Sequence, residues 1–86
     1  MLLTWTAPAW EDYIYWQQTD KKILKRINEL INNALRSPAE GLGKPEALRF
    51  DLVGCWSRRI NQEHRLVYTV DKAQKALVIL QCRYHY

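Results

Sequence analysis

The apolar and polar positions at the opening of the chain predict a short strand followed by a short helix. Residues 2–5 (LLTW) predict the strand. Thr6 is suited to cap a helix, because its hydroxyl can accept a hydrogen bond from a free backbone N–H, and Pro8 costs no hydrogen bond in the first turn. The residues that recur at helical spacing after this start are Trp10, Tyr13, Ile14 and Gln17.

The clearest repeat of apolar residues in the chain predicts a second helix. Thr19 or Asp20 can cap its start, and residues 37–41 (SPAEG) end it, because proline cannot continue a helix. The opposite face, which includes Lys25 and Arg26, is charged and is expected to be solvated. The apolar residues that recur three and four positions apart are Ile23, Ile27, Leu30, Ile31, Ala34 and Leu35.

The second half of the chain predicts strands, at residues 47–52, 56–60, 64–70 and 76–82. A polar turn at residues 71–75 joins the last two into a hairpin. Because residues 77–80 (LVIL) are apolar at both parities, the last strand is expected to be central and covered on both faces. We therefore predict an α+β fold of order β-α-α-β-β-β, with two helices packed on one face of a mainly antiparallel sheet.

Length and composition restrict the possible classes of protein. With 86 residues, the chain predicts a single domain over residues 1–86. No apolar run is long enough for a membrane span, and the first residues lack the basic region of a signal peptide. Cys55 and Cys82 are not in CxxC spacing, so neither a metal site nor a disulfide framework is indicated. We expect a cytoplasmic protein with reduced thiols and no cofactor.

The charge is unevenly distributed along the chain. Residues 1–43 contain equal numbers of basic and acidic side chains, so the net charge of +4 belongs to residues 44–86. Aromatic residues are interleaved with the basic ones there. This pattern suits phosphate backbones and stackable bases, although a solvated basic face would look similar.

The same half contains the groups that RNA cleavage through the 2′-hydroxyl requires: a base, a cation for the phosphorane and an acid for the leaving oxygen. Glu46 follows Lys44 and Pro45 and is a candidate base, or else an ordinary surface carboxylate. Arg65 lies on the polar face of a predicted strand, where it can bind a phosphate with its fork or pair with Glu63.

The last four residues supply the candidate acid. Arg83, Tyr84, His85 and Tyr86 continue beyond the apolar part of the last strand. They predict an active-site tail, with an ordinary edge strand that has a polar end as the alternative. His85 is the better acid of the two histidines, because His64 adjoins a turn and is expected to be structural or solvated.

Several segments together resemble one family. The combination closely resembles the YoeB (Txe) toxins of the RelE/ParE toxin superfamily, and the resemblance extends over essentially the whole chain. It implies a RelE-like fold and one mRNA interferase toxin domain over residues 1–86. The segments that match are residues 10–21, 29–31, 43–46 (GKPE), 56–60 (WSRRI), 63–68 (EHRLVY) and 82–86 (CRYHY).

The resemblance also implies an activity and the residues that perform it. Such toxins are ribosome-dependent endoribonucleases that cut mRNA in the A site, stop translation, and leave a 2′,3′-cyclic phosphate and a 5′-hydroxyl. The positions that match suggest Glu46 as general base, Arg65 as phosphate stabiliser and His85 as general acid. Further substrate contacts are expected from Lys44, Arg49, Arg59, Arg83, Tyr84 and Tyr86. Phe50 and Asp51 depart from the expected pattern beside Arg49.

The expected partners follow from the same resemblance. They are a cognate antitoxin of the YefM/Phd type, the 70S ribosome with its mRNA, and a second copy of the chain in a homodimer. DNA is expected to be contacted only through the antitoxin complex. The main alternative is a non-catalytic module that binds RNA or the ribosome, or assists repression. Such a module should keep growth inhibition after His85→Gln or Glu46→Ala, whereas a nuclease should lose it.

Overall fold

In chain order, two helices follow the first strand and precede the other strands of the sheet. The computed structural model describes all residues, 1–86. No helix is long and apolar enough to pass through a membrane. The elements are β1 (Leu2–Trp5), α1 (Ala7–Thr19), α2 (Lys21–Arg36), β2 (Glu46–Ala47), β3 (Cys55–Arg59), β4 (Arg65–Asp71) and β5 (Ala76–Gln81), with a 3₁₀ turn at Phe50–Leu52.

The five strands form one sheet in the order β1-β5-β4-β3-β2. Only β1 and β5 run parallel, and the other pairs are antiparallel, as predicted for a mainly antiparallel sheet. The sheet has one strand more than the predicted order, which counts three strands after the helices where the structure has four. On β5, Leu77 and Ile79 are fully buried whereas Val78 and Leu80 are half-buried, so the second face is only partly covered.

Both helices begin at the residues that the sequence indicated. The Thr6 hydroxyl accepts a hydrogen bond from the Ala9 N–H at 3.3 Å. Asp20, rather than Thr19, caps α2, and its Oδ1 accepts from the N–H groups of Lys22 and Ile23 at 3.0 and 3.1 Å. The helix ends at Arg36, just before the Ser37-Pro38 pair.

The core lies between these helices and one face of the sheet. The predicted apolar face of α2 is correct, because Ile27, Leu30, Ile31 and Ala34 are buried. The face predicted for α1 is wrong: Ala9 and Trp16 are buried, whereas Trp10 and Gln17 are exposed. Large apolar residues occur on all sides of α1, so only packing against the sheet selects the buried side. The sheet contributes Leu66, Tyr68, Leu77 and Ile79 to the core.

The predicted strand at residues 47–52 is also wrong, since pairing with β3 covers only Glu46 and Ala47. Phe50 has a φ of 57°, in the left-handed region, and begins the 3₁₀ turn. A left-handed residue cannot continue a ladder, so the segment leaves the sheet. Apolar and polar residues alternate within residues 47–52 as they do in a half-buried strand, yet Phe50 is 89 % exposed.

A buried guanidinium joins the sheet to the loop that follows α2. Arg58, on the helix-facing side of β3, is 0 % exposed. Its Nε donates to the Tyr68 hydroxyl at 2.9 Å, and that hydroxyl donates to the Pro38 carbonyl at 2.5 Å. Burial raises the pKa of the Tyr68 phenol. The terminal nitrogens of Arg58 donate to Oδ1 of Asn33 and to the carbonyls of Ser37, Glu40 and Leu42, at 2.6 to 3.0 Å.

Candidate active site

Strand register places the candidate base and the candidate phosphate ligand on the same face of the sheet. Glu46 lies opposite Ser57, and Ser57 lies opposite Val67, so these three side chains share a face. Arg65 precedes Val67 by two residues and therefore also points to that face. Its neighbour Leu66 points to the core under the helices. The candidate groups are thus on the side of the sheet away from α1 and α2.

The C-terminal tail, residues 82–86, is held to α1 at its first residue. The Cys82 N–H donates to Oδ2 of Asp12 at 3.1 Å, and the Trp16 indole donates to the Cys82 carbonyl at 2.8 Å. The thiol of Cys82 is buried, 3.7 Å from the Ala9 carbonyl that it donates to. Burial, followed by the charge of Asp12, raises the pKa of this thiol to about 12. The thiol is therefore a packing group and not a nucleophile.

A second set of contacts redirects the tail toward β4. The Tyr84 N–H donates to Nδ1 of His64 at 2.7 Å, and the Tyr84 carbonyl accepts from the Arg65 N–H at 3.0 Å. Tyr84 has a φ of 66°, so the chain bends sharply there. The expectation that His64 is structural is consistent with this contact. Chain ends often fray, but these bonds tie this one to the sheet.

The last residue reaches the face that carries Glu46. The Tyr86 hydroxyl lies 3.3 Å from Oγ of Ser57, the residue opposite Glu46. The ring centroid of His85 lies 4.6 Å from that of Tyr86, and the imidazole is exposed. Tyr86 and Glu46 line one cleft of about 390 Å³, together with Ala47, Leu48, Arg49, Phe50 and Leu52. We call it the Glu46 cleft.

Arg65 is held by backbone carbonyls and not by Glu63. Its Nη1 donates to the carbonyls of Asn61 and His64 at 2.7 and 3.1 Å, and more weakly to that of Gln62 at 3.4 Å. One nitrogen of the guanidinium thereby stiffens the turn between β3 and β4. The Nε and Nη2 atoms make none of these bonds and can donate to a ligand.

The other predicted contacts fall in three places. Arg49 lines the Glu46 cleft, whereas Lys44 and Arg59 line a different cleft together with Arg26. The Arg83 guanidinium lies over the Tyr15 ring, 3.5 Å from its centroid, and 4.6 Å from the centroid of Tyr84. Cation–π contacts of this kind hold the tail in place. Arg83 therefore stabilises the position of the tail in this structure.

Sequence reasoning missed the residues that position the tail. Asp12 and Trp16 are on α1, and Ser57 is on β3, far from the tail in sequence. Desolvation raises the pKa of Asp12, while the Cys82 N–H bond and the Arg83 charge oppose that rise. One signal was available: an acidic residue and a tryptophan four positions apart lie on one side of a helix. Nothing in the sequence indicated what they would contact.

Comparison with known structures identifies the class of protein. The chain has the RelE-like α+β fold of bacterial toxins, as predicted. A YoeB/ParE toxin from Agrobacterium tumefaciens superposes with a TM-score of 0.97 at 52 % identity, over all of both chains. The toxin in a heterotetrameric YoeB–YefM toxin–antitoxin complex from Staphylococcus aureus superposes with a TM-score of 0.89 at 53 % identity, over 100 % of this chain and 99 % of that one.

Sequence comparison identifies the family. The family model described as "YoeB-like toxin of bacterial type II toxin-antitoxin system" matches residues 5–86. Toxin YoeB of Escherichia coli K12 is 57 % identical over 86 residues, which is all of both chains. A YoeB dimer from Staphylococcus aureus superposes with a TM-score of 0.90 at 53 % identity, over 100 % of this chain and 98 % of that one. The chain belongs to the YoeB-like toxin family of type II toxin–antitoxin systems.

Proposed function

We propose that this toxin is a ribosome-dependent endoribonuclease that cleaves mRNA in the A site and thereby inhibits translation. The observation that best supports the proposal is the Glu46 cleft. It combines a carboxylate with the C-terminal Tyr86 on the sheet face to which Arg65 also points. The reaction requires a base, a cation for the phosphorane charge and an acid for the leaving oxygen, and we assign these parts to Glu46, Arg65 and His85.

In the proposed reaction, Glu46 accepts the proton of the substrate's 2′-hydroxyl. The 2′-oxygen attacks the adjacent phosphorus, and the free Nε and Nη2 donors of Arg65 stabilise the phosphorane charge. The bond between phosphorus and the 5′-oxygen then breaks while His85, in its protonated form, donates a proton to the leaving oxygen. The products are a 2′,3′-cyclic phosphate and a 5′-hydroxyl, and one proton is taken up for each one released.

The remaining predicted contacts take different parts in this proposal. Arg49 and Tyr86 line the Glu46 cleft and are assigned direct contact with the nucleotide at the cleavage site. Arg83 and Tyr84 are assigned an indirect part through the tail, because their stacking and hydrogen bonds hold the residues that precede His85. Lys44 and Arg59 bind RNA from their own cleft. The reaction as written uses no cofactor.

The partners follow from the relatives named above. We propose that this chain is neutralised by a YefM-type antitoxin, as the composition of the Staphylococcus aureus complex suggests, and that it forms a homodimer. Its working partners are the 70S ribosome and translated mRNA. Contact with DNA is assigned to the antitoxin in the complex.

The test is cleavage of a defined mRNA on purified 70S ribosomes, with primer extension to map the new ends. Wild type should cut only translated mRNA, and Glu46→Gln and His85→Gln should each lower the rate about 10²- to 10⁴-fold. Glu63→Gln is the matched control, because Glu63 is an exposed carboxylate outside the cleft. If translation stops without new mRNA ends, or if both variants remain fully toxic, the chain is instead a non-catalytic ribosome-binding module.

A further inference from the structure

A second cleft, also of about 390 Å³, is basic. It shares no lining residue with the Glu46 cleft. No carboxylate lines it. The lining residues are Arg26, Gly43, Lys44, Arg59, Ile60, Asn61 and Gln62. We call it the Arg26 cleft.

Three separate segments bring the cations of this cleft together. Arg26 comes from the charged face of α2, Lys44 from the loop before β2, and Arg59 from the last position of β3. The Arg59 N–H donates to the Gly43 carbonyl at 2.7 Å, which joins the loop to the strand. Arg26, on the face of α2 that the sequence predicted to be solvated, therefore lines a cleft.

The loop that carries Lys44 is rigidly placed. A Cβ atom on Gly43, whose φ is 78°, would lie 2.7 Å from the Leu30 side chain and 3.1 Å from Cβ of Arg58. The Leu42 carbonyl accepts a hydrogen bond from the buried Arg58 guanidinium. Lys44 itself has a left-handed φ of 53°. Lys44 is exposed, but the contacts of Gly43 and Leu42 with core residues fix the backbone that carries it.

No acidic side chain among the lining residues compensates the positive charge of the Arg26 cleft. Like charges in one cleft repel one another, and their attraction for an anion is correspondingly strong. Two guanidinium forks and one ammonium suit the oxygens of a phosphate, which accepts several hydrogen bonds at once. Lys44 and Arg59 are exposed and Arg26 is half-buried, so the donors are accessible.

We infer that the Arg26 cleft binds a phosphodiester of RNA other than the scissile one, an inference that rests on the proposed function. Lys44 is two residues from Glu46, so at most about 7 Å of backbone separates the two positions. Arg59 follows Ser57 by two residues on β3 and therefore points to the same sheet face as Glu46, so an RNA strand held at Glu46 can extend along that face to the second cleft. This continuity favours RNA over an acidic peptide as the ligand.

The test measures binding of a short single-stranded RNA in which 2′-O-methyl groups prevent cleavage. Affinity is measured by fluorescence anisotropy at several salt concentrations for wild type, Arg26→Gln and Lys25→Gln. Lys25 is the matched control, because it is exposed on the same helix and outside the cleft. Loss of one phosphate contact should lower the slope of log affinity against log salt by about 0.7 for Arg26→Gln only. Arg26→Lys should restore most of the slope.

A second arm identifies the source of the phosphodiester. If Arg26→Gln weakens binding to empty 70S ribosomes but not to the oligonucleotide, the ligand is ribosomal RNA; if it weakens oligonucleotide binding, the ligand is the substrate strand. Equal slopes for Arg26→Gln and Lys25→Gln in both arms would overturn the inference. So would an effect of Arg26→Gln that is confined to binding of an oligo-glutamate peptide, measured by the same anisotropy assay. Because no cleavage is measured, a failure of the proposed nuclease activity would leave these results unchanged.

Discussion

The backbone N–H of Tyr84 donates a 2.7 Å hydrogen bond to Nδ1 of His64. An imidazole nitrogen that accepts a hydrogen bond carries no proton, so His64 is held as the tautomer with its hydrogen on Nε2. The His64 ring also packs edge-on against Trp16, with 4.8 Å between ring centroids. A single imidazole thus connects α1, the start of β4 and the residue before His85.

His64→Phe should lower activity while leaving the fold intact. The substitution keeps a ring against Trp16 but removes the acceptor for the Tyr84 N–H. A hydrogen bond of this kind contributes about 1 kcal/mol, so we expect the RNA cleavage rate to fall by up to about tenfold. His64→Asn, whose side-chain oxygen can accept, should retain more activity. Equal activity of His64→Phe and wild type would show that the tail does not depend on this bond.

Removal of residues 84–86 should leave a folded but inactive protein. Tyr84, His85 and Tyr86 are all exposed, whereas Cys82 is buried and must be kept. The truncation loses a few hydrogen bonds, so we expect the free energy of unfolding to fall by no more than about 2 kcal/mol. Urea denaturation and growth inhibition measured on the same variant test this. A much larger loss of stability would show that these residues are part of the structural core.

Arg58→Met should destabilise the protein strongly, whereas Arg59→Met should not. Arg58 is fully buried and donates to five acceptors, which would be left without partners. Unpaired buried polar groups cost about 1–3 kcal/mol each, so we expect a loss of at least about 3 kcal/mol. Arg59 is exposed and should change stability by about 0.5 kcal/mol or less. Similar unfolding midpoints in urea for the two variants would contradict this account.

Asp12→Asn should remove one pH dependence of stability. Burial raises the pKa of Asp12 in the folded protein above its ordinary value of 3.8, so the folded state holds this proton more tightly than the unfolded state does. The resulting stabilisation is complete below pH 3.8 and is lost as the pH rises through the folded-state pKa. Asparagine keeps an acceptor for the Cys82 N–H without the charge.

The measurement is the free energy of unfolding from urea titrations between about pH 3 and 8. The stability of wild type relative to Asp12→Asn should decrease with rising pH. Glu11→Gln is the control, because Glu11 is the exposed neighbour and its comparison with wild type should lack this decrease. A difference between wild type and Asp12→Asn that stays constant with pH would show that burial does not perturb this carboxyl group.

Part of the fold could be predicted because its determinants are local. The apolar period of α2, its Asp20 cap and the proline after Arg36 act within a few residues, and the hairpin between β4 and β5 follows from two apolar runs and a polar turn. The candidate groups Glu46, Arg65 and His85 were found from residue type and resemblance. Their catalytic roles stay predictions, tested by the experiments above.

The sequence by itself determined which segments become helices and hairpin, because hydrogen bonding and apolar spacing within each segment decide that. Tertiary structure decided which side of α1 is buried and where β2 ends. It provided the hydrogen-bond acceptors that allow Arg58 to lie in the core. It also decided how Asp12, Trp16 and His64 hold the tail. These outcomes depend on contacts between residues distant in the chain, and a residue's own neighbours carry no information about such partners.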